Sequence, residues 1–246
     1  MQRLDLPPSQ AHPLAGLFSE RSGVSLALVA MLSMGAALYA ALLYAPTERI
    51  QGDVQRIFYF HVPLAWTSYL AFFVVFVASA AYLVKRAPLM DAVARSSAEV
   101  GLLFTTMMLI TGSLWARPIW GTWWSWDARL TTTLLLWFIY VGYLMLRSSV
   151  DDEEKAARYA AVIGIVGAVD IPIIHQSVVW WRSLHPESVV LASGGPAMPG
   201  SMLTALLVSL AAFTILYVVL VLMRTRLELA RVDLRALRRR ALERVA

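Results

Sequence analysis

Residues 120–131, near the middle of the chain, have the composition of a ligand-binding surface. Four of the nine tryptophans fall within seven of these residues, at Trp120, Trp123, Trp124 and Trp126, and Asp127 and Arg129 follow them. Offsets of 0, 3, 4 and 6 match neither the period of a helix nor that of a strand. An indole ring has a large flat apolar face and a single N–H donor. The segment therefore predicts an aromatic platform with two charges at its rim, suited to a flat amphiphilic ligand or to a membrane interface.

Three of the four histidines are placed where they could act together with this platform. His61 opens an apolar stretch, His175 lies about one turn inside the end of another, and His185 follows Trp180 by five residues. Imidazole is the usual axial ligand of haem iron, and two imidazoles on opposite faces saturate the metal. A bis-histidine haem site is therefore one interpretation, and hydrogen bonding at a membrane interface is the other. A separation of 124 residues does not show that His61 and His185 meet.

Other charged residues are candidates for supporting roles. Asp170 is the one acid deep inside an apolar stretch, where a carboxylate is costly and by default marks a functional position. Pro172 leaves a backbone carbonyl unpaired nearby, so a hydrogen bond from Asp170 to the backbone is an equal alternative. Asp127 is expected to fix its loop through a salt bridge or a helix cap. Four arginines could pair with carboxylates of a ligand or with lipid phosphates: Arg56, Arg117, Arg129 and Arg182.

The composition indicates a membrane protein. Of the 246 residues, 59% are hydrophobic and only 15% are charged, which is more apolar surface than a soluble domain of this size can bury. The absence of cysteine excludes disulfides, thiolate metal sites and the motif for covalent haem attachment, so any haem is expected to be held non-covalently. The net charge of +5 arises entirely from residues 224–246, which carry eight arginines. Nucleic-acid binding is therefore not expected.

Six apolar stretches are long enough to cross a hydrocarbon core of about 30 Å. They lie at 23–44, 62–84, 98–115, 130–146, 159–179 and 201–223. The chain is therefore predicted to be an all-α integral membrane protein with six transmembrane helices. A capping box at Ser96 and Glu99 predicts the start of the third helix, and Pro63 suits the first turn of the second. The acidic residues 151–154 are expected to begin the fifth helix, next to the positive end of its dipole.

The distribution of lysine and arginine predicts the orientation. One side of the predicted membrane has 16 basic residues and the other has 5. Both termini are therefore expected in the cytoplasm of a bacterium, and the tryptophan-rich loop between helices 3 and 4 in the periplasm. On this division, residues 1–22 form a cytoplasmic leader and 23–223 a membrane domain with an outward loop at 116–129. Residues 224–246 form a basic amphipathic helix, expected to lie on the anionic inner leaflet or to be solvated beyond it.

Three segments carry a resemblance to a known family. They are the tryptophan-rich segment at 120–131, RIFYFHVPLAW at 56–66 and VWWRSLHP at 179–186. In this order and on one predicted face of the membrane, they resemble the haem-handling proteins of cytochrome c maturation, which share a tryptophan-rich WWD motif. Within that group the closest resemblance is to the CcmC family. The likeness covers most of residues 49–223 and leaves the leader and the tail outside.

The resemblance implies roles for the residues that carry it. Haem b would be held on the periplasmic side of the inner membrane, with His61 and His185 as the axial ligands of the iron. The platform would consist of Trp120, Trp123, Trp124, Trp126, Asp127 and Arg129. Four further residues remain candidates for the surroundings of the site, namely His175, Asp170, Arg117 and Arg182.

The resemblance also implies partners. The haem would pass to the periplasmic chaperone CcmE, which binds it covalently. The ABC transporter subunits CcmA and CcmB, the small membrane protein CcmD and membrane lipid would be the other partners in the complex. No catalytic residue is implied, because the covalent step occurs on the partner and this chain would bind and transfer haem rather than act as an enzyme.

Two other functions fit parts of the sequence. A cytochrome b electron-transfer subunit would also use paired histidines, but its ligands usually face each other well inside a helix bundle. His61 and His185 lie instead at a helix end and in a loop. A haem permease, acting alone or as a subunit of an ABC exporter, is the second alternative. Asp170 is the only deep ionisable group that such a pathway could use.

Overall fold

The structure is a computed structural model that describes residues 20–181, 183–185, 195 and 198–243. In these ranges the chain forms six long helices: α1 (Glu20–Tyr39), α2 (Phe58–Lys85), α3 (Pro88–Trp120), α4 (Ala128–Ser149), α5 (Glu153–Trp180) and α6 (Gly200–Glu243). A π-helical turn, Ala40–Tyr44, continues α1, and a 3-10 helix, Asp53–Ile57, leads into α2. All six helices are long and apolar enough to cross a membrane, which confirms the predicted all-α membrane fold. Most of the predicted leader, residues 1–19, lies outside the described residues.

Helix α2 is held at the centre of the bundle. It packs against α3, α5 and α6. Phe72 of α2 stacks on Tyr140 of α4, with ring centroids 3.7 Å apart, inside the main buried cluster. Gly101 lets α3 approach closely, because a Cβ at this position would lie 2.8 Å from the Cβ of Ala71. This packing on several sides fixes the direction of α2 and therefore the position of His61 near its start.

The six spans divide the connections between two ends of the bundle. At the end that we call the tryptophan end, α1, α3 and α5 finish and α2, α4 and α6 begin. At the opposite end, the tail end, α2 and α4 finish, α3 and α5 begin, and the last part of α6 extends beyond the bundle. Because the described chain has six spans, the start of α1 and the end of α6 lie on the same side of the bundle. The assignment of the tryptophan end to the periplasm stays a prediction.

Two predicted helix starts were wrong. Helix α3 begins at Pro88, a residue suited to the first helical position, so Ser96 and Glu99 lie in the interior of α3 and form no capping box. Pro63 is the sixth residue of α2 and not part of its first turn, because the preceding 3-10 helix runs directly into Phe58. Hydrophobicity marks where a helix enters the hydrocarbon, whereas helical hydrogen bonding starts earlier.

The predicted start of α5 in the acidic run is confirmed. Helix α5 begins at Glu153, and the carboxylate of Asp152 accepts hydrogen bonds from the backbone N–H groups of Glu154 and Lys155, both at 3.0 Å. These bonds, above all the one from Lys155, hold the pKa of Asp152 below its ordinary value. Asp152 therefore acts as a charged N-cap at neutral pH.

The tail is helical, as predicted, and α6 passes residue 223 without interruption. At about 1.5 Å per residue its 44 residues measure about 66 Å, roughly twice the thickness of a hydrocarbon core. The buried carboxylate of Glu228 anchors the base of this extension. Four guanidinium groups lie within 3.6 Å of it, those of Arg95 on α3 and of Arg224, Arg231 and Arg235 on α6. Glu99 of α3 also pairs with Arg224.

Candidate functional site

The tryptophan-rich segment joins α3 to α4 through a shorter loop than the predicted 116–129. Helix α3 continues through Trp120, so the connection comprises only residues 121–127. The helix ends there because Gly121 adopts a left-handed conformation, with φ of 75°, and donates its N–H to the carbonyl of Arg117 at 3.0 Å. The Arg117 guanidinium donates in turn to the Gly121 carbonyl. Trp120 is therefore presented by a helix end, and the other three tryptophans by the loop.

Asp127 fixes the other end of this connection. Its carboxylate accepts a hydrogen bond from the backbone N–H of Leu130 at 3.0 Å and thereby caps the start of α4. The hydroxyl of Ser125 also donates to it, at 3.3 Å. The helix-cap interpretation of Asp127 is thus confirmed.

The tryptophans of the segment differ in exposure. The side chains of Trp123 and Trp126 are exposed, Trp126 by 75%, whereas Trp120 and Trp124 are half-buried. The rings of Trp124 and Trp126 meet edge to face, with centroids 5.7 Å apart. The Nε1 donor of Trp124 is buried and has no hydrogen-bond partner among the described residues. The loop therefore presents an apolar surface together with an unsatisfied donor.

An open groove of about 450 Å³ lies beside Trp126. It is lined by Trp126, Asp127, Ala128, Thr131, Thr132 and Trp181. Trp181, which is 52% exposed, comes from the connection after α5, so two separate connections contribute indoles to one groove. The volume is within the range of about 300–1,000 Å³ that is usual for small-molecule pockets.

His61 lies in the first turns of α2, against the last turns of α3. Its Nδ1 is 3.2 Å from Oγ1 of Thr111, and its ring meets Trp115 edge to face at 5.9 Å. A Cβ on Gly112 would lie 3.0 Å from Cε1 of His61, so this glycine leaves room for the ring. Sequence reasoning missed Thr111 and Gly112, because both residue types are common in transmembrane helices and neither stands out by itself.

His185 lies against Trp120, the last residue of α3. Its ring meets Trp120 edge to face, with centroids 6.3 Å apart, and its Nδ1 is 3.0 Å from Nη1 of Arg129. Nη2 of Arg129 donates to the backbone carbonyl of His175 at 3.1 Å. Arg129 therefore links the start of α4 to the end of α5 and to His185. His175 joins this group through its carbonyl, and its side chain is exposed.

The structure brings four of the predicted site residues together. The imidazoles of His61 and His185 are close enough to interact electrostatically, and Trp120 and Arg129 contact His185. Asp170 lies in the interior of α5, where it is 7% exposed and its Oδ2 has no hydrogen-bond partner in the described part of the chain. Arg182 lies outside the described residues.

Arg56, another candidate for binding carboxylates, has a structural role. Its guanidinium donates to the backbone carbonyls of Ala41 and Ala45, at 2.7 and 3.2 Å, and pairs with Asp53 at 3.1 Å. It therefore satisfies carbonyls that the π-helical turn at the end of α1 leaves open. Of the candidate arginines in the part of the chain that the structure describes, this leaves Arg117 and Arg129 beside the tryptophans.

The chain matches a known family over most of its length. The sequence model of the family described as Heme exporter protein C, CcmC, matches residues 10–240. The chain belongs to the CcmC family. The resemblance seen in three segments is thereby confirmed, and the match reaches further than residues 49–223, into both the leader and the tail.

Several relatives cover most of the chain. Heme exporter protein C of Bradyrhizobium diazoefficiens is 44% identical over 220 residues, which are 89% of this chain and 82% of the relative. Heme exporter protein C of Escherichia coli K12 is 36% identical over 226 residues, 92% and 89% of the two chains. A Marchantia polymorpha protein is 37% identical over 190 residues, 77% and 80% of the two chains. It is named as a putative cytochrome c biosynthesis ccmC-like mitochondrial protein.

Proposed function

We propose that this protein binds haem b non-covalently at the tryptophan end and delivers it for cytochrome c maturation. Its relatives are named for haem export and for cytochrome c biosynthesis. The observation that carries the proposal is the approach of His61 and His185, far apart in sequence, to the last turns of α3, where each contacts a tryptophan. Two imidazoles can supply both axial ligands of haem iron, which holds haem without activating oxygen.

The residues at this end fit haem as a cargo. The exposed rings of Trp123, Trp126 and Trp181 offer flat apolar faces for a planar macrocycle. Nε1 of Trp124 and Nε of Arg129 are buried donors without a hydrogen-bond partner among the described residues. A ligand with an apolar plane and carboxylate groups complements both features, because it covers the rings and supplies acceptors.

Delivery requires that haem remain accessible to a partner. The exposure of Trp123 and Trp126 supports a shallow site, with one edge of the haem open to the chaperone CcmE. The covalent bond would form on CcmE, so we assign no catalytic residue to this chain. CcmA, CcmB and CcmD are the further partners that we propose. Ligands at helix ends favour this role over electron transfer through the centre of a bundle.

We also propose the orientation that this role needs. The tryptophan end would face the periplasm from the bacterial inner membrane, and both termini would be cytoplasmic. The support is the excess of lysine and arginine on the side of the tail end, 16 residues against 5.

Absorption spectra of purified wild-type protein and of His61→Ala, His185→Ala and His175→Ala test the proposal. We expect a six-coordinate low-spin spectrum in the wild type. In the first two variants this spectrum should be lost or shifted, with haem affinity lowered at least about tenfold. His175→Ala is the matched control, because its exposed ring should contribute little. Unchanged haem content in both His61→Ala and His185→Ala would refute the ligand assignment.

A further inference from the structure

The hydrogen bonds around His61 place its proton on Nδ1. This nitrogen faces Oγ1 of Thr111 at 3.2 Å. The Thr111 hydroxyl has a single proton, and the carbonyls of Met107 and Met108 lie 2.9 and 3.1 Å from it, so it donates within α3 and accepts from His61. The lone pair of His61 is therefore on Nε2, where it can bind a metal.

Arg129 imposes the opposite arrangement on His185. A guanidinium has five N–H donors and no acceptor, and its Nη1 is 3.0 Å from Nδ1 of His185. Nδ1 must therefore accept, and the neutral ring carries its proton on Nε2. A protonated ring nitrogen has no lone pair to donate to iron. The second bond of Arg129, to the carbonyl of His175 at 3.1 Å, holds the guanidinium in this place.

We infer that Arg129 prevents His185 from binding iron until its guanidinium has released Nδ1 of His185. In this arrangement His61 is ready to bind iron, whereas His185 binds iron through Nε2 only after Arg129 has released Nδ1. The His185 ring then loses the proton of Nε2 to solvent and gains one on Nδ1, so its net charge does not change. The inference rests on the proposed function, because it takes haem as the cargo. The two histidines therefore differ in their readiness to bind iron, and the expected order of binding is His61 first and His185 second.

The tautomers can be measured without haem. In purified protein labelled with 15N-histidine, the nitrogen chemical shifts should show His61 protonated on Nδ1 and His185 protonated on Nε2. Arg129→Met removes every donor and should populate the Nδ1-protonated form of His185, whereas Arg129→Lys keeps a donor and should retain the wild-type form. Arg49→Met is the control, because Arg49 is an exposed cation at the same end. A proton on Nδ1 of His185 in the wild-type protein would overturn the inference.

The consequence for ligation is tested with the dimethyl ester of haem b, whose esterified carboxylates cannot pair with a guanidinium. Binding of His185 to this compound should be about tenfold more favourable in Arg129→Met than in the wild type or Arg49→Met, seen as a larger low-spin fraction. Equal low-spin fractions in the three proteins would contradict the inference that Arg129 hinders iron binding by His185. If none of these proteins bound haem, the proposed function would fail, and the tautomer measurement keeps the two failures apart.

Discussion

Two common residues determine how His61 is presented. The hydroxyl of Thr111 forms a hydrogen bond with Nδ1 of His61, and Gly112 leaves space for the ring. Imidazole and indole are rare enough to be noticed in an apolar sequence, so the histidines and tryptophans could be predicted as candidates. The residues that orient them could not, because a threonine or glycine gains its role only from the helix that packs beside it.

Gly112→Ala tests this dependence. The added methyl group would lie 3.0 Å from Cε1 of His61, so the ring must move and its hydrogen bond to Thr111 must change. We expect haem affinity to fall about tenfold, as it does when the groups that orient a metal ligand are altered. Isothermal or spectroscopic titration with haem measures the effect.

Gly142→Ala is the control for this experiment. A Cβ at Gly142 in α4 would meet nothing within 4 Å. Haem affinity should remain unchanged, and helix stability should rise by up to about 1 kcal/mol. Equal haem affinities in both glycine variants would mean that the position of the His61 ring does not control binding.

Helices α3 and α4 set the length of the loop between them. The sequence predicted a loop at 116–129 because hydrophobicity declines after Trp115, yet helical hydrogen bonding continues until Gly121 supplies a left-handed residue. Hydropathy reports contact with lipid, and it does not report the backbone bonds that end a helix. The cap at Asp127 was predictable, because an acidic residue before an apolar run is a common N-terminal cap.

Substitutions of Asp127 distinguish its role as a helix cap from the effect of its negative charge. Asp127→Ala removes the acceptor for the N–H of Leu130 and should lower the stability of the protein by about 1 kcal/mol, with weaker haem retention as the loop loosens. Asp127→Asn can still accept this bond and should stay close to the wild type. Thermal unfolding and haem retention of the purified variants measure both effects. If Asn were as damaging as Ala, the negative charge rather than the cap would be essential.

At the scale of the whole molecule, the two ends of the bundle contain different groups of polar residues. The tryptophan end holds His61, His175 and His185, and the tail end holds the ion pairs around Glu228. Six apolar stretches were enough to predict the number of spans. The pairing of Arg95 with Glu228 was not predictable, because 133 residues separate them and only the packing of α6 on α3 brings them together.

Glu228→Ala should weaken the attachment of the tail to the bundle without changing the affinity for haem. The substitution leaves partly buried guanidinium groups without their shared carboxylate, and we expect a loss of about 1–3 kcal/mol, below that of a fully buried pair. Trypsin should then cleave the arginines of the tail faster, and the melting temperature should fall.

Asp233→Ala is the control, since Asp233 is an exposed acid on the same helix. Haem affinity should be unchanged in both variants because the substitutions lie at the opposite end from His61. Equal trypsin sensitivity of the two variants would contradict the anchoring role of Glu228.

The unbroken length of α6 has a geometric consequence. Between Gly200 and Glu243 the helix has no interruption, so its last turns continue in the direction of the sixth span. The part beyond Arg235, which forms an ion pair with Glu153 at the start of α5, adds about 12 Å. The exposed side chains of Leu237 and Leu242 are thus carried on a rigid spacer. A molecule that contacts them is therefore held at a fixed distance from the tail end of the bundle, set by the length of the helix.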